Sequence, residues 1–426
     1  MKRYSEYKDS GVKWIGEIPE HWKIRRLKNV VLCNAETLSE SFPKDEVIKY
    51  VEISDVNYTS GITNIQKIPF GEAPSRARRV TKKNDVIVST VRTYLKAVAK
   101  IQEDDLIVST GFAVLHPLIG NSSFLSYFAL SESFINNVIV KSKGISYPAI
   151  TASDLICIAM PLPPLPEQEA IVTYLDTKVA KIDEYISIAE KKIAALEELK
   201  QTIIAEAVTR GIHKDVPMND SRVKWIGMIP EHWDLKRTAM LFSENRKKNI
   251  NYEFDHALKF NYGKLVSKNE IGDVSSLKET YMAYTVINKN DIAINCLNLN
   301  YDFVSQRVAI SPQKGIITSA YLIITPRQGV EAMYYNYLFK AMDSKKLFHG
   351  MGTGIRLTLS FSELKKQQIP VPPLPEQQEI VTYLDSKVAN INQLCQTERA
   401  QIEKLKEYKQ RLISDVVTGK VKVMND

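Results

Sequence analysis

The chain contains two copies of one framework, and this internal repeat limits its possible folds more than any other feature of the sequence. The segment VKWIGEIPEHW at 12–22 returns as VKWIGMIPEHW at 223–233, and ten of the eleven positions are identical. The segment PPLPEQEAIVTYLDTKVAKI at 163–182 returns as PPLPEQQEIVTYLDSKVANI at 372–391, with sixteen identical positions among twenty. Repeats of this length indicate two copies of one structural unit.

The residues between the repeated segments differ from one copy to the other. The inserts at 30–160 and 241–371 share only short matches, such as KKNDVIVS at 82–89 with NKNDIAIN at 288–295. The chain therefore consists of a fixed frame that carries two different inserts. This organisation suits a protein that binds two different ligands with the same geometry.

Both copies of the frame continue into a helical heptad pattern. Pro166 and Pro375 suit the first turn of a helix, and Gly211 and Gly419 suit its end. We therefore predict two helices of about forty residues, each about 60 Å long, that pair with each other through the seam of a coiled coil. Apolar or small residues, with Glu398 as the one polar interruption, recur at steps of four and three at positions 175, 179, 182, 186, 189, 193 and 196 and at 384, 388, 391, 395, 398, 402 and 405.

A proline-rich segment precedes each predicted helix. The two segments are PLPPLP at 161–166 and PVPPLP at 370–375. We interpret them as short, stiff polyproline segments that join an insert to its helix. A ligand for an SH3-type domain is the other interpretation of PxxP, but the position of both copies at the same junction argues against it.

The inserts carry the patterns of both strands and helices. Runs of β-branched residues bounded by turn residues predict strands, and they lie at 47–54, 85–91, 106–117, 291–299 and 315–326. Helical stretches follow them at 122–141 and 331–346. The inserts are therefore predicted to be mixed α/β globules, and the whole chain an α/β (α+β) multidomain protein.

Composition and charge exclude several classes of protein. The chain contains no run of eighteen apolar residues, and its first residues lead into no apolar segment, so we predict neither a membrane span nor a secretory signal. The four cysteines form no CxxC pair, which favours a cytoplasmic protein without a disulfide framework. The net charge is +8, with +4 in 1–160 and +7 in 218–371, and this basic balance permits an acidic partner.

Together these features resemble one family, the DNA-specificity (S) subunits of Type I restriction–modification systems. The matching residues are WIGEIPEHW at 14–22, WIGMIPEHW at 225–233, and the PLPPLPEQ and PVPPLPEQ leaders with their long helices. The order of a globule followed by a helix, twice, also matches, and the resemblance covers essentially the whole chain. It implies two target-recognition domains separated by an antiparallel coiled coil of the two helices, in a circular pseudo-two-fold arrangement.

The resemblance also implies domain boundaries and partners. The partners would be double-stranded DNA and two methyltransferase subunits, with or without two restriction subunits. S-adenosylmethionine would be bound by the methyltransferase subunits, which would methylate adenine, while this chain would bind no cofactor and do no chemistry. The predicted segments are an N-terminal target-recognition domain at 1–160, a central coiled-coil helix at 161–212, a linker at 213–221, a C-terminal target-recognition domain at 222–371 and a C-terminal coiled-coil helix at 372–420.

Two dissimilar domains on a rigid spacer are expected to read two dissimilar half-targets at a fixed separation. The predicted DNA target is therefore asymmetric and gapped, and the length of the helices would set the gap. Docking of the methyltransferase subunits is predicted on the outer faces of the helices and on the two WIGxIPEHW segments.

The first insert offers basic and aromatic clusters for contact with DNA. Arginine pairs bidentately with guanine, and lysine neutralises phosphate. For any single surface arginine or lysine, the alternative is a solvated side chain that touches no ligand. The clusters are SRARR at 75–79, VRTYLK at 91–96 and KSKGISY at 141–147, with the candidates Arg76, Arg78, Arg79, Arg92, Tyr94, Lys96, Lys141, Lys143 and Tyr147.

The second insert offers different chemistry at the matching place. The segment LNLNYD at 297–302 corresponds to VRTYLK, so that Asn298 stands where the first insert has Arg92. Asparagine pairs bidentately with adenine, and this exchange suits two different half-targets. The candidates in the second insert are Arg246, Lys247, Lys248, Lys264, Asn298, Asn300, Tyr301 and Arg356.

The four tryptophans all lie in the repeated WIGxIPEHW segments. They could form ligand-binding or base-stacking sites, but we favour a structural role in which they fix the start of each domain to its core and neighbouring helix. His21 and His232 have no further ligands at metal-binding spacing, so no metal site is predicted.

Two other classes of function remain open from the sequence. A self-contained methyltransferase or nuclease is disfavoured because the chain contains no phosphate-binding loop and no methyltransferase tetrapeptide, and we predict no catalytic residue. A coiled-coil adaptor whose basic inserts bind other proteins is the second alternative.

Overall fold

The structure is a computed structural model that describes residues 3–268, 274–354 and 357–423. It divides into two compact units. Unit 1 comprises Met1–Ala189 and Arg399–Asp426, and unit 2 comprises Glu190–Glu398. Each unit therefore contains one insert together with part of each long helix. The predicted boundaries of the target-recognition domains stay a prediction.

Unit 1 contains two main sheets, one mixed and one antiparallel, and several strand pairs. One main sheet has the strand order β5-β10-β13-β6-β9, in which β6 and β13 are parallel, and the other has the order β12-β11-β14-β4. The pairs are β1-β2, β15-β3 and β7-β8. The strands are β1 (Tyr7–Asp9), β2 (Glu17–Pro19), β3 (Lys23–Arg26), β4 (Val31–Cys33), β5 (Glu36–Thr37), β6 (Val47–Val51), β7 (Val56–Asn57), β8 (Gly61–Ile62), β9 (Gln66–Pro69), β10 (Ala77–Thr81), β11 (Val86–Ser89), β12 (Val98–Lys100), β13 (Leu106–Ser109), β14 (Phe112–Pro117) and β15 (Ala159–Leu162).

The helices of unit 1 cover one face of the β12-β11-β14-β4 sheet. The insert forms α1 (Ser122–Ala129), α2 (Glu132–Lys141) and α3 (Ala152–Ile156). Apolar side chains of α1 and α2 share one buried core with Val86, Val88 and Leu115 of the sheet. A second, smaller core is shared by the two main sheets, and a third lies against the β5-β10-β13-β6-β9 sheet.

Unit 2 contains a central antiparallel sheet with the strand order β19-β26-β23-β24 and the strand pairs β16-β17, β18-β27, β20-β21 and β22-β25. Tyr334, Leu338 and Phe339 of α7 pack against the central sheet in the main core of the unit. The elements are β16 (Met218–Asp220), β17 (Met228–Pro230), β18 (Asp234–Arg237), α5 (Thr238–Leu241), β19 (Phe242–Glu244), β20 (Leu258–Asn261), β21 (Lys264–Ser267), α6 (Val274–Met282), β22 (Thr285–Ile287), β23 (Ile292–Ile294), β24 (Val308–Ile310), β25 (Gly315–Ile317), β26 (Leu322–Pro326), α7 (Ala332–Ser344), α8 (Phe361–Leu364) and β27 (Gln368–Val371).

The two predicted long helices are α4 (Leu165–Arg210) and α9 (Leu374–Val417). Along the predicted seam, the side chains are buried or half-buried. In unit 2, Lys192 bonds to Glu398 while Lys200 Nζ bonds to Asn392 Oδ1 at 3.1 Å, so residue numbers rise along one helix as they fall along the other. The predicted antiparallel pairing is confirmed.

Each long helix ends at the predicted glycine. Gly211 and Gly419 have φ values of +76° and +79°, which is the left-handed conformation that closes many helices. A Cβ at Gly419 would lie 2.4 Å from Cδ of Pro19 in unit 1. Glycine is therefore required there both by the backbone angle and by the close approach of the WIGEIPEHW segment.

Two predictions about the connections were incomplete. The first proline-rich segment is in part strand β15, which pairs antiparallel with β3, and the second is in part β27, which pairs with β18. The tract 213–221, predicted as a linker, contains β16, which pairs with β17 as β1 pairs with β2 in unit 1. Both differences have the same cause. The backbone N–H and C=O groups of these segments find hydrogen-bond partners on strands distant in the sequence, and a local sequence pattern does not show such partners.

Among the residues that the structure describes, no helix combines the length and the apolar character that crossing a membrane requires.

Candidate nucleic-acid interface

The frame of each unit is built around one glutamate at the start of a long helix, which is buried in unit 1 and half-buried in unit 2. In unit 1, Glu167 Oε2 accepts hydrogen bonds from Trp22 Nε1 at 3.0 Å and from His21 Nε2 at 2.8 Å. In unit 2, Glu376 Oε2 accepts the same two bonds from Trp233 and His232, at 2.9 and 2.8 Å. The structural role predicted for the PEHW tryptophans is confirmed.

A third donor completes the arrangement in unit 1. The hydroxyl of Tyr4 donates to Glu167 Oε1 at 2.5 Å. Burial, together with the carboxylate of Glu167, raises the pKa of Tyr4 well above its usual range, so that the hydroxyl keeps its proton and remains a donor.

The residue after each glutamate fixes the insert to its helix. Gln168 Oε1 accepts from the backbone N of Asn121 at 2.8 Å, and its Nε2 donates to the carbonyl of Pro163 at 2.8 Å. Gln377 makes the equivalent bonds to Glu331 N at 3.1 Å and to Pro372 O at 2.8 Å. Both glutamines are buried, so the bonds are shielded from water.

A tyrosine–aspartate pair repeats at the next contact along the helix. Tyr127 of α1 donates to Asp176 Oδ1 at 2.6 Å, and Tyr337 of α7 donates to Asp385 Oδ1 at the same distance. Sequence analysis missed the glutamates, the glutamines and this pair as structural residues. The same residue types occur at these positions in both copies of the repeat, and this agreement was the signal that could have identified them.

On this frame, unit 1 brings two loops together, which we name loop A (90–96) and loop B (142–150). The backbone N of Ile150 donates to the carbonyl of Thr90 at 2.8 Å, and Lys143 pairs with Ala149 across loop B. The guanidinium of Arg92 lies over the ring of Tyr147, 5.0 Å from its centroid. Two clusters that are separate in the sequence are thus adjacent in the structure.

Unit 2 assembles the same pair of loops from different residues. Here loop A is 296–306, and loop B is described at 352–354 and 357–359. Leu359 N donates to Cys296 O at 3.3 Å, which repeats the bond from Ile150 to Thr90. Thr353 pairs with Thr358 across loop B, as Lys143 pairs with Ala149.

The backbone confirms that Arg92 and Asn298 are equivalent. Arg92 has φ 49° and Asn298 has φ 53°, both in the left-handed region. Both side chains are exposed. Few residues other than glycine adopt this conformation, and asparagine does so most readily. The same backbone position therefore presents a guanidinium in unit 1 and a carboxamide in unit 2.

Most of the other predicted loop residues surround these two positions. Tyr94 and Tyr147 are exposed in unit 1, as is Tyr301 in unit 2, and exposed tyrosines offer stacking surfaces. Lys96 Nζ lies 5.4 Å from the ring centroid of Tyr58. Lys141 is exposed beside loop B and Lys143 is exposed within it, and Asn300 is half-buried within loop A of unit 2.

The predicted arginine cluster at 75–79 lies elsewhere in unit 1, on and beside β10. Arg76 Nε forms an ion pair with Glu52 at 2.7 Å. The guanidinium of Arg78 lies 4.6 Å from the ring centroid of Phe70, and Arg79 Nη1 donates to Thr37 at 3.1 Å. These side chains are engaged within the unit and do not join loops A and B.

The remaining candidates of unit 2 are also dispersed. Arg246 Nε forms an ion pair with Glu244 at 2.8 Å, and Lys248 Nζ donates to the carbonyl of Ala283 at 3.3 Å. Lys247 is exposed, and Lys264 is exposed at the start of β21. Arg356 lies outside the described residues.

Within residues 3–268, 274–354 and 357–423, no group of histidine, cysteine, aspartate and glutamate side chains is arranged to hold a metal ion.

Comparison with known proteins identifies the family. The model of the Type I restriction modification DNA specificity domain matches residues 19–198 and 230–404. The Type I restriction enzyme MjaVIII specificity subunit of Methanocaldococcus jannaschii is 27% identical over 318 residues, which cover 70% of this chain and 69% of that protein.

Two solved structures share the fold. The HsdS subunit from Thermoanaerobacter tengcongensis is 24% identical with a TM-score of 0.51, and 95% of this chain and 98% of that chain are covered. A chain from a study of complex assembly and conformational transition of the type I R–M system is 24% identical with a TM-score of 0.72, with 95% and 99% covered.

These findings confirm the predicted mixed α/β fold with two repeats. The relatives are specificity subunits, as the sequence motifs predicted. Because the family model matches most of the chain, once in each copy of the repeat, this protein belongs to the DNA specificity subunits of Type I restriction–modification systems.

Proposed function

We propose that unit 1 and unit 2 each read one half of an asymmetric, gapped DNA target through loops A and B. The observation that carries this proposal is the shared left-handed backbone at Arg92 and Asn298. Two sites with one backbone geometry and different hydrogen-bonding side chains are suited to two different base pairs. The guanidinium pairs with guanine O6 and N7, and the carboxamide pairs with adenine N6 and N7.

The lysines in and beside the loops provide attraction to DNA that does not depend on base sequence. Lys96, Lys141 and Lys143 of unit 1 contact phosphates in this proposal, and Tyr94, Tyr147, Asn300 and Tyr301 contact bases or sugars. Arg76, Arg78, Arg79, Arg246, Lys247, Lys248 and Lys264 add phosphate contacts outside the loops, and Arg356, which lies in the sequence between the two described parts of loop B, adds a further one. Those of them that already bind acidic or carbonyl partners contribute less, because each existing contact would be lost or shared.

The partners follow from family membership. Two methyltransferase subunits, with or without two restriction subunits, dock on the frame in the cytoplasm. S-adenosylmethionine is bound by the methyltransferase subunits, which methylate adenine, and this chain binds no cofactor and carries no catalytic residue. The target-recognition domains correspond to 1–160 and 222–371. The exposed faces of α4 and α9 support docking better than the WIGxIPEHW segments, because Ile15, Ile18 and Trp22 are buried.

The proposal is tested by paired substitutions in loop A. Arg92→Ala is expected to weaken binding to the unit 1 half-target by about tenfold or more, since a bidentate base contact is worth about 1–3 kcal/mol. Asn298→Ala is expected to do the same for the unit 2 half-target. The measurement is the dissociation constant of the chain with its methyltransferase subunits for duplexes in which one half-target is randomised.

Lys83→Ala is the matched control for lost charge, because Lys83 is exposed and precedes the opposite end of β11 from Arg92. It is expected to leave half-target selectivity unchanged. Equal losses at both half-targets for Arg92→Ala would contradict the proposal. Binding that does not weaken as salt concentration rises would favour the adaptor alternative, because phosphate contacts release counterions.

A further inference from the structure

Loop A is longer in unit 2 than in unit 1. In unit 1, the backbone N of Ser89 donates to Ala97 O at 2.9 Å and closes a loop of seven residues, 90–96. In unit 2, the equivalent bond runs from Asn295 N to Arg307 O at 2.8 Å and closes a loop of eleven residues, 296–306. The four additional residues need hydrogen-bond partners that the shorter loop does not need.

Arg307 supplies these partners from inside unit 2. Its side chain is fully buried, at 1% exposure, where unit 1 has the small Ala97. Nη1 donates to Asn295 O at 3.1 Å and to Leu297 O at 2.7 Å. Nη2 donates to Asn298 O at 3.4 Å and to Asp302 O at 2.7 Å. One guanidinium therefore holds four carbonyl groups, one directly before loop A, at Asn295, and three within the loop, including that of the proposed base-contacting Asn298.

Other contacts hold the far side of the same loop. His349 Nε2 lies 3.1 Å from Asp302 O, and its ring stacks on Phe303 with centroids 4.7 Å apart. Asp302 Oδ1 accepts from the backbone N of Val304 at 3.1 Å and of Ser305 at 2.9 Å. Hydrogen bonds from Ser305 lower the pKa of Asp302 to about 2, so the carboxylate stays ionised at neutral pH.

Loop A of unit 2 thus presents exposed groups on a fixed backbone. Tyr301 is 79% exposed and Val304 is 91% exposed. A loop that already has its bound shape loses less conformational entropy on binding, and its polar groups stay aligned with one base pair only. Arginine suits the role because its planar fork directs several donors at once, whereas a lysine ammonium is a compact point charge.

We propose that Arg307 is a positioning residue that fixes loop A of unit 2 before DNA binds, and that it thereby sets the selectivity of unit 2 alone. The inference rests on the proposed function, because it assigns loop A of unit 2 to one half-target. Unit 1 needs no equivalent residue, since its shorter loop closes without one.

The test is Arg307→Lys in the chain assembled with its methyltransferase subunits. The variant keeps the positive charge but cannot serve four carbonyls. Discrimination between the preferred and a substituted unit 2 half-target is expected to fall about tenfold, as for the loss of hydrogen bonds to a charged group. Discrimination at the unit 1 half-target is expected to remain unchanged. Arg327→Lys is the matched control, because Arg327 is an exposed arginine of the same unit.

A second variant covers the case in which Arg307→Lys fails to fold. His349→Ala removes the contacts to Asp302 and Phe303 from a half-buried position and is expected to lower unit 2 discrimination about threefold. Unchanged discrimination in both variants, or equal losses at both half-targets, would overturn the role of Arg307. If Asn298→Ala were also without effect, the proposed function itself would fail. An effect of Asn298→Ala alone would leave that function standing and reject only the positioning role.

Discussion

Replacing Trp22 with alanine is expected to destabilise unit 1 by about 4 kcal/mol. The indole is 0% exposed and packs in the main core of the unit. Its removal leaves a cavity beside Gly419 and takes one donor from the buried carboxylate of Glu167. Both losses fall on the junction between the insert, the start of α4 and the end of α9.

The measurement is urea-induced unfolding of the full chain, followed by hydrogen exchange at amides of unit 1. Trp22→Phe is the graded control, since it fills most of the cavity but removes the N–H, and we expect a loss of about 1–2 kcal/mol. Trp233→Ala is the matched variant in unit 2. It removes the hydrogen bond from Trp233 to Glu376 and leaves the one from His232. A loss below about 1 kcal/mol for Trp22→Ala would show that the tryptophan does not anchor the unit.

Replacing Lys340 with leucine is expected to stabilise unit 2 by about 2 kcal/mol at pH 7. Lys340 lies on α7, three residues after Tyr337, and the equivalent position in unit 1 is Leu130, three residues after Tyr127. Burial, and then the positive charges of Lys264 and Lys200, lower the pKa of Lys340 from 10.5 to about 8. At pH 7 the folded protein therefore holds an ammonium group in an unfavourable environment.

The effect of Lys340→Leu is expected to depend on pH with a defined sign. Between pH 8 and pH 10.5 the unfolded chain keeps the proton on Lys340 while the folded chain releases it, so the stability of the native protein rises with pH. The gain from the variant should therefore be largest below pH 8 and shrink as pH approaches 10. Urea midpoints at pH 7 and pH 9.5 measure it, with Lys289→Leu as an exposed control. A gain that grows with pH would contradict the assignment.

One further difference between the units concerns Lys200, one of the two lysines that lower the pKa of Lys340. In unit 1, Lys409 of α9 bonds to the carboxylate of Asp183 at 2.7 Å. The equivalent pair in unit 2 is Lys200 with the neutral Asn392. The cross-helix carboxylate of unit 1 is thus replaced by a neutral carboxamide in unit 2, where Lys200 pairs instead with Glu197 of its own helix.

Much of the frame could be predicted because its signals are local and repeated. Heptad spacing, a first-turn proline and a terminal glycine are each recognisable within a short stretch of sequence. The internal repeat shows each of these signals twice. The stretch 122–141 shows the limit: it was predicted as helical, and the structure divides it into α1 and α2. Ser131 causes the break, because its side chain accepts from Phe134 N and begins a new helix.

The strand order of the sheets and the composition of the candidate interface could not be predicted in full, because both depend on contacts between residues that are distant in the sequence. Strand order, including the parallel pairing of β6 with β13, has no signal in one sequence. The arginines at 75–79 were predicted from charge alone, whereas Glu52 and Phe70, which engage two of them, lie on other elements. Comparison of the two inserts did predict the correspondence of Arg92 and Asn298, since the short match at 82–89 and 288–295 fixed the register of β11 and β23.

The left-handed position at the start of loop A has a consequence for how new specificities arise. Asparagine tolerates this backbone well, whereas arginine there carries a strain of about 1 kcal/mol. Because the backbone at this one position is left-handed with either side chain, a single codon change would exchange the hydrogen-bonding pattern without a change of backbone conformation there. Substitution at such a position would change the DNA sequence that the protein recognises by one base pair at a time. The rest of the protein would stay constant, so a population of hosts would acquire new specificities in small steps.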